Sequence, residues 1–202
     1  MGKWSRRAFI TTGVLVGGTL VIGVAIRPGN RSHKVAKLVG GDGDTVLNVW
    51  LKIGPDNVVT AIIPHAEMGQ GVHTTLAMML ADEMDADWSK VRMMEAPAHK
   101  EYANYALAKG YEFGDVDFPA FLMGTIDGIL LTATKAMNLQ ITGGSTSVAT
   151  TGIVGMRVAG AAAKAILLEA AAETWQVPVD ELRAENSHII HAASDRSAPF
   201  SD

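Results

Sequence analysis

The stretch that most narrows the fold is GIVGMRVAGAAAKAILLEAAAETW, residues 152–175, an Ala-rich run that predicts one long helix. Gly152, Gly155, Ala159 and Gly160 place small residues along it. Small residues let a helix approach another backbone closely, so this helix is expected to pack tightly on a neighbour. The run has the length of a membrane span, but Arg157, Lys164, Glu169 and Glu173 interrupt it. We read it as a soluble helix.

The segment VLNVWLKIGPDNVVTAIIP (46–64) predicts a hairpin. Leu47, Val49, Leu51 and Ile53 alternate, GPDN makes the turn, and a β-branched run returns to Pro64. From Val72, the positions Val72, Leu76, Met79, Leu80 and Met84 keep helical spacing to about Asp85. WSKVRMMEAP (88–97) predicts a short strand after a turn, and HIIH (188–191) another strand. QVPVDEL restarts with Pro178 in a short acidic turn. Residues 98–140 carry a weaker signal, with GTIDGILLTATKAM as a candidate helix. Residues 28–45 read as a polar, Gly-rich linker whose GDGD is only a turn, and ASDRSAPFSD trails off. Met78, Met79, Met84, Met93 and Met94 are expected in the core. The sum is an α+β chain, organised as an N-terminal signal or anchor (1–27), a linker (28–45) and a domain over 46–202.

At 202 residues and 48% hydrophobic, the chain suffices for one ordinary domain or two small ones. The formal charge of −4 hides an asymmetry. Residues 1–41 hold Lys3, Arg6, Arg7, Arg27, Arg31, Lys34 and Lys37 and no acidic residue, so from Asp42 onward ten basic residues face all 21 acidic ones. An acidic body behind a basic leader argues against nucleic-acid binding. SRRAFITTG (5–13) sets paired arginines before an apolar, Gly-rich run without charge up to Arg27. It resembles a twin-arginine export signal, an address for proteins that cross the membrane folded. GVA (23–25) offers small residues for cleavage, and the uncharged run is nearly long enough for an uncleaved anchor, so both fates stay open. The chain has no cysteine, which excludes a disulfide scaffold, a cysteine nucleophile and a cysteine-bound iron–sulfur cluster within it.

Two turns have the makings of a binding site. Gly69-Gln70-Gly71 stands between a β-like and a helix-like run. Its glycines permit positive φ and close approach, and the helix start adds N–H groups and partial positive charge. That suits an anionic or oxo group, with the Gln70 amide as a neutral donor; a plain strand-to-helix turn is the alternative. Thr142-Gly143-Gly144-Ser145-Thr146-Ser147 also precedes a helix, and can hold a phosphate or simply cap it. His33, His65, His73, His99, His188 and His191 show no metal-ligand spacing, though His65 and His73 straddle the first turn as pocket neighbours. Glu67 is either a base, a solvated carboxylate or a partner of the helix N-terminus.

The motifs EMGQG (67–71) before a helix, TGGSTS (142–147) before the Ala-rich helix, and W-x-V-P-x-x-E-L (175–182) occur in that order. Behind this leader, they resemble the molybdopterin-binding large subunit of the xanthine dehydrogenase/aldehyde oxidase family. The likeness is greatest to the isoquinoline 1-oxidoreductase β-subunit group, which also takes in membrane-associated aldehyde dehydrogenases. The resemblance makes residues 46–202 a partial molybdopterin-binding domain. It implies a molybdenum cofactor, molybdopterin cytosine dinucleotide, with no metal ligand from the protein. Gln70 would hydrogen-bond a molybdenum oxo group, Gly69 and Gly71 would give clearance, and Gly143, Gly144, Ser145, Thr146 and Ser147 would contact the pterin or dinucleotide. The implied reaction is hydroxylation of an N-heterocycle or an aldehyde with water as oxygen source. Electrons would leave through a partner 2Fe–2S subunit toward a cytochrome c subunit. The family's general base, a C-terminal glutamate, and a further Gly-rich cofactor segment have no counterpart here. The chain is therefore expected to be the N-terminal part of a larger subunit, inactive without a complementing C-terminal chain. The rival expectation is an exported non-catalytic domain, or a relic, that keeps the fold and at most binds a partner.

Overall fold

The structure, a computed structural model, describes residues 31–114, 116–140 and 144–202. The twin-arginine leader lies outside the described residues, as do Thr142 and Gly143. The described chain divides into a larger unit, from Asn30–Tyr102 and Gln140–Asp202, and a smaller one, Ala103–Leu139.

The larger unit is built on a four-stranded sheet in the order β1-β2-β3-β4, formed by Thr45–Asn48, Leu51–Ile53, Val59–Ile63 and Val91–Glu95. The expected hairpin is present between β2 and β3, closed by Gly54 to Val58, with Asn57 at φ 62°. The alternation from Leu47 to Ile53 is not one strand, however. The chain reverses at Val49-Trp50, so β1 pairs antiparallel with β2. Asn48 causes the reversal: its Oδ1 accepts the Trp50 N–H at 2.9 Å, a side-chain mimic of a backbone turn. Its Nδ2 meanwhile donates to the Ala159 carbonyl at 3.2 Å.

After β3 the chain crosses through α2 (Val72–Met84) and returns as β4, parallel to β3. On β3, Val59, Ala61 and Ile63 face a core shared with α2, while Ile62 faces the other side. That other side is covered by α1 (Ser32–Val39), in the stretch expected to be linker. Val35 and Val39, one helical turn apart, bury themselves against Ile62 and Tyr102.

The Ala-rich helix is α5, Ser145–Trp175. It opens with one α-turn (Ser145–Ser147), passes through a π-helical segment (Val148–Gly152) and continues regularly over Ile153–Trp175. Two helices, α2 and α5, pack side by side and parallel. Gly152 sits against Leu76, Gly160 against Leu80 and Glu83, Arg157 pairs with Glu83 at 2.6 Å, and Lys164 pairs with Asp85 at 2.8 Å. A methyl group on Gly160 would stand 2.7 Å from the Leu80 carbonyl oxygen, so the expected close approach is made there. Parallel packing puts both helix N-termini at one end of the unit.

A meander of β5 (Leu182–Glu185), β6 (His188–His191) and β7 (Arg196–Pro199) completes the core with Leu182, Ile189 and Phe200. The C-terminal stretch expected to trail off is thus strand β7, and Phe200 is buried after it. After it, the Asp202 N–H bonds back to the Pro199 carbonyl at 3.3 Å. His191 is structural, held between Glu181 at 2.9 Å and Ser194 at 2.6 Å. Two of the methionines expected in the core are exposed, Met78 at 54% and Met93 at 44%, because they point away from the faces that α2 and β4 bury. The smaller unit is a helical hairpin of α3 (Tyr105–Phe113) and α4 (Ala120–Ala136). Asn104 caps α3, and Lys109 pairs with Asp127 at 2.9 Å.

Candidate functional site

Pro64 ends β3, and the loop Ala66 to Gly71 leads into α2. Gly69 has φ +90° and Gly71 φ +75°, a region that side chains with a Cβ rarely adopt. No atom lies within 4 Å of where a Cβ would stand at either position, so both glycines border open space.

Glu67 organises this loop. One carboxylate oxygen accepts the N–H groups of Gly69 at 2.8 Å and Gly71 at 3.0 Å, and the other accepts that of His73 at 3.1 Å. One N–H group at the start of α2, that of His73, is thereby satisfied from within, together with the two glycine N–H groups before the helix. The His73 and Gly71 N–H groups, helped by Gly69 and the His73 ring, hold the Glu67 carboxyl below its ordinary range. The role among its alternatives that the structure shows is partner of the helix N-terminus. Gln70 is latched too: its Nε2 donates to the Ala66 carbonyl at 2.8 Å, and its Oε1 accepts the Met68 N–H. One Nε2 hydrogen stays available on an exposed side chain.

The second turn differs. Gly144 has φ +84° and again no atom within 4 Å of a Cβ position. Ser145 and Thr146 follow as exposed residues in the first turn of α5, while Ser147 is buried beneath them. The hydroxyls of Thr150 and Thr151 donate back to the carbonyls of Thr146 and Ser147, each at 2.6 Å. These bonds tie the π-helical segment back to carbonyls of the α-turn before it.

His65 joins the two turns. It is buried, and its Nε2 lies 3.2 Å from both the Ser147 carbonyl and the Thr151 hydroxyl. Gly152 leaves room for the ring: a Cβ there would stand 3.0 Å from His65 Cε1. The His65 carbonyl in turn accepts from His73 Nε2 at 2.8 Å. Burial pushes the His65 ring below its ordinary pKa, offset in part by the Ser147 bond and reinforced by His73. The sequence marked His65 and His73 as pocket neighbours; the role of Thr151 and Gly152 it left unmarked, apart from the small side chain of Gly152. Among the described residues, no three His, Asp or Glu side chains gather as a metal-holding group.

Residues 11–107, which include the whole first turn and α2, match the family described as molybdopterin cofactor-binding domain. That match takes in just under half of the chain. Isoquinoline 1-oxidoreductase subunit beta of Brevundimonas diminuta is 32% identical over 155 residues, 77% of this chain and 16% of that protein. A membrane-bound aldehyde dehydrogenase of Gluconacetobacter polyoxogenes, named for pyrroloquinoline quinone, is 43% identical over 91 residues, 44% of this chain and 11% of that protein. The chain thus spans under a fifth of the length of either family relative.

A molybdopterin cofactor is anionic, and the site's geometry suits an anionic group in part. Three positive-φ glycines border open space, and the exposed first turn of α5 presents donors and the positive end of a helix. The first turn offers clearance and one amide hydrogen of Gln70. The N–H groups of Gly69, Gly71 and His73 are taken up by Glu67.

Proposed function

We propose that the chain is the N-terminal part of a molybdenum hydroxylase large subunit, acting on N-heterocycles or aldehydes with water as oxygen source. The observation that carries this reading is the parallel pairing of α2 and α5, which sets two glycine turns at one end of a single unit. The group placed there is molybdopterin cytosine dinucleotide with molybdenum, which supplies the redox chemistry when bound. Gly69 and Gly71 give it clearance, and Gln70 donates to an oxo group. The segment Gly143, Gly144, Ser145, Thr146 and Ser147 receives the pterin or dinucleotide through backbone N–H groups and hydroxyls. Glu67 keeps the first loop shaped and is committed to that task.

In this reading the chain works with a complementing C-terminal chain that carries the general base. A small 2Fe–2S subunit takes up the electrons and passes them to a cytochrome c subunit. Alone, the chain is inactive. We further propose export to the periplasm by the twin-arginine route, with the leader cleaved or retained as an inner-membrane anchor. Replacing Arg6 and Arg7 with lysine keeps the protein in the cytoplasm if this is right.

The rival reading, a non-catalytic domain or relic, is favoured by the self-satisfied state of the first turn, where Glu67 and Gln70 bond the loop's own backbone. Metal and pterin content decide between them. The chain is purified from a molybdenum-replete host, alone and with the remainder of a full-length relative as a second chain. Bound molybdenum and pterin, reduced by Gln70→Ala, support the enzyme. Their absence from both preparations, or pyrroloquinoline quinone extracted in place of pterin, overturns it.

A further inference from the structure

Function aside, the first turn and the α5 turn are separated by some seventy residues of chain, yet a single side chain spans them. We propose that His65 is a positioning residue: with His73, it forms a strut that sets the two glycine turns in register. The strut runs in three links. The His73 ring, in the first turn of α2, donates to the His65 carbonyl at 2.8 Å. The His65 backbone leads to its own buried ring. Finally, Nε2 of that ring donates to the Ser147 carbonyl at 3.2 Å, an oxygen that also accepts the Thr151 hydroxyl. In this tautomer Nδ1 is the bare nitrogen, and Nδ1 is the atom left buried without a hydrogen-bond partner.

Three features point to coupling and not to incidental packing. The Ser147 carbonyl lies at the entry to the π-helical segment, where both the His65 ring and the Thr151 hydroxyl reach it. Gly152 is the residue that makes room for the ring, with Leu76 of α2 closing the seat at 3.1 Å from the same Cβ position. Finally, each end of the strut lies within four residues of a glycine that borders open space, Gly69 and Gly71 ahead of His73 and Gly144 ahead of Ser147. A ligand that touches both turns needs their separation set in advance, and ordering them on binding would cost affinity. This consequence rests on the proposed cofactor; the strut itself does not.

The test perturbs one turn and reads the other. Backbone amide exchange is followed on the full chain without cofactor for the wild type, His65→Phe, Thr151→Val and His65→Gln. His65→Phe keeps the bulk and removes the donor. Thr151→Val alters the α5 side alone, so it keeps the proposal testable if the phenylalanine variant folds poorly. His65→Gln returns an amide nitrogen near the Nε2 position. The strut requires His65→Phe and Thr151→Val each to quicken exchange in both 66–73 and 147–152, about tenfold for one lost hydrogen bond. His65→Gln is expected to restore protection, and β5 to β7 to be untouched. Exchange that rises only in the segment carrying the substitution overturns the strut. So does a glutamine variant that behaves like the phenylalanine one. Coupled exchange in a protein that never carries pterin supports the strut and removes the proposed cofactor. A loaded protein with uncoupled exchange does the reverse.

Discussion

The two glycine turns are alike in sequence and unlike in chemistry. Both precede a helix, both hold glycine at positive φ, and both lie at the same end of the larger unit. The first has taken a carboxylate of its own chain: Glu67 accepts the N–H groups of Gly69, Gly71 and His73, and Gln70 bonds back to Ala66 and Met68. Among the described residues no such carboxylate bonds the second; Ser145 and Thr146 stand exposed at the start of α5. A helix N-terminus attracts negative charge wherever it comes from, and a nearby acidic side chain competes with any ligand. The comparison therefore shows the first turn shaped by its own carboxylate, and under the proposed function it leaves anion binding to the second.

The largest effect is expected from Gly160→Val, which attacks what the turns share. Its side chain would run into the Leu80 carbonyl and force α2 and α5 apart. A loss of about 3 kcal/mol in urea unfolding is expected for overpacking of this kind. An unchanged midpoint would show that the helices do not approach as described.

Gly144→Ala touches the second turn alone. A backbone at φ +84° and ψ 154° strains any side chain, so a loss of about 1–2 kcal/mol is expected in the same assay. His65 then gives a pH signature. Its folded pKa is lowered below the ordinary 6.5, so the unfolded chain binds the proton more readily. The stabilisation is complete above about 6.5 and declines as pH falls toward the lowered folded value, and His65→Gln flattens that slope.

Glu67→Gln sharpens the comparison because it touches the first turn alone. The Glu67 carboxyl is held below its ordinary 4.5, so the loop keeps its bonds above that pH and loses them as pH falls through the lowered value. The amide signals of Gly69, Gly71 and His73 are expected to titrate together in the wild type and not in the variant. Signals from Ser145 and Thr146 following the same titration would contradict the division of labour. Gln70→Ala, an exposed change, is expected to shift stability by less than about 0.5 kcal/mol while lowering cofactor retention.

Much of the frame was legible because short-range chemistry decides it. Val72 to Met84 keeps helical spacing, the GPDN turn closes β2 onto β3, and the small residues of 152–160 announce a close helix partner. What escaped depends on distant contacts. Asn48 splits the alternating run of Leu47 to Ile53 while also bonding Ala159, 111 residues away. Helix α1 shows only two buried positions in a polar stretch, and they find their partners on the far face of the sheet. Strand β7 has no apolar alternation of its own and exists by pairing with β6. In the site, the glycine positions were readable from residue type. The commitment of Glu67, among three roles left open, and the link from His65 to Ser147, 82 residues on, were not.

A crystal structure of the chain bound to the remainder of a full-length relative, grown from a molybdenum-replete preparation, tests the shared-ligand claim most directly. One bound pterin-containing group within hydrogen-bond reach of both Gln70 and the Gly144 to Thr146 turn is the expected result. A group seated on one turn with the other facing solvent, or seated elsewhere altogether, would contradict the account.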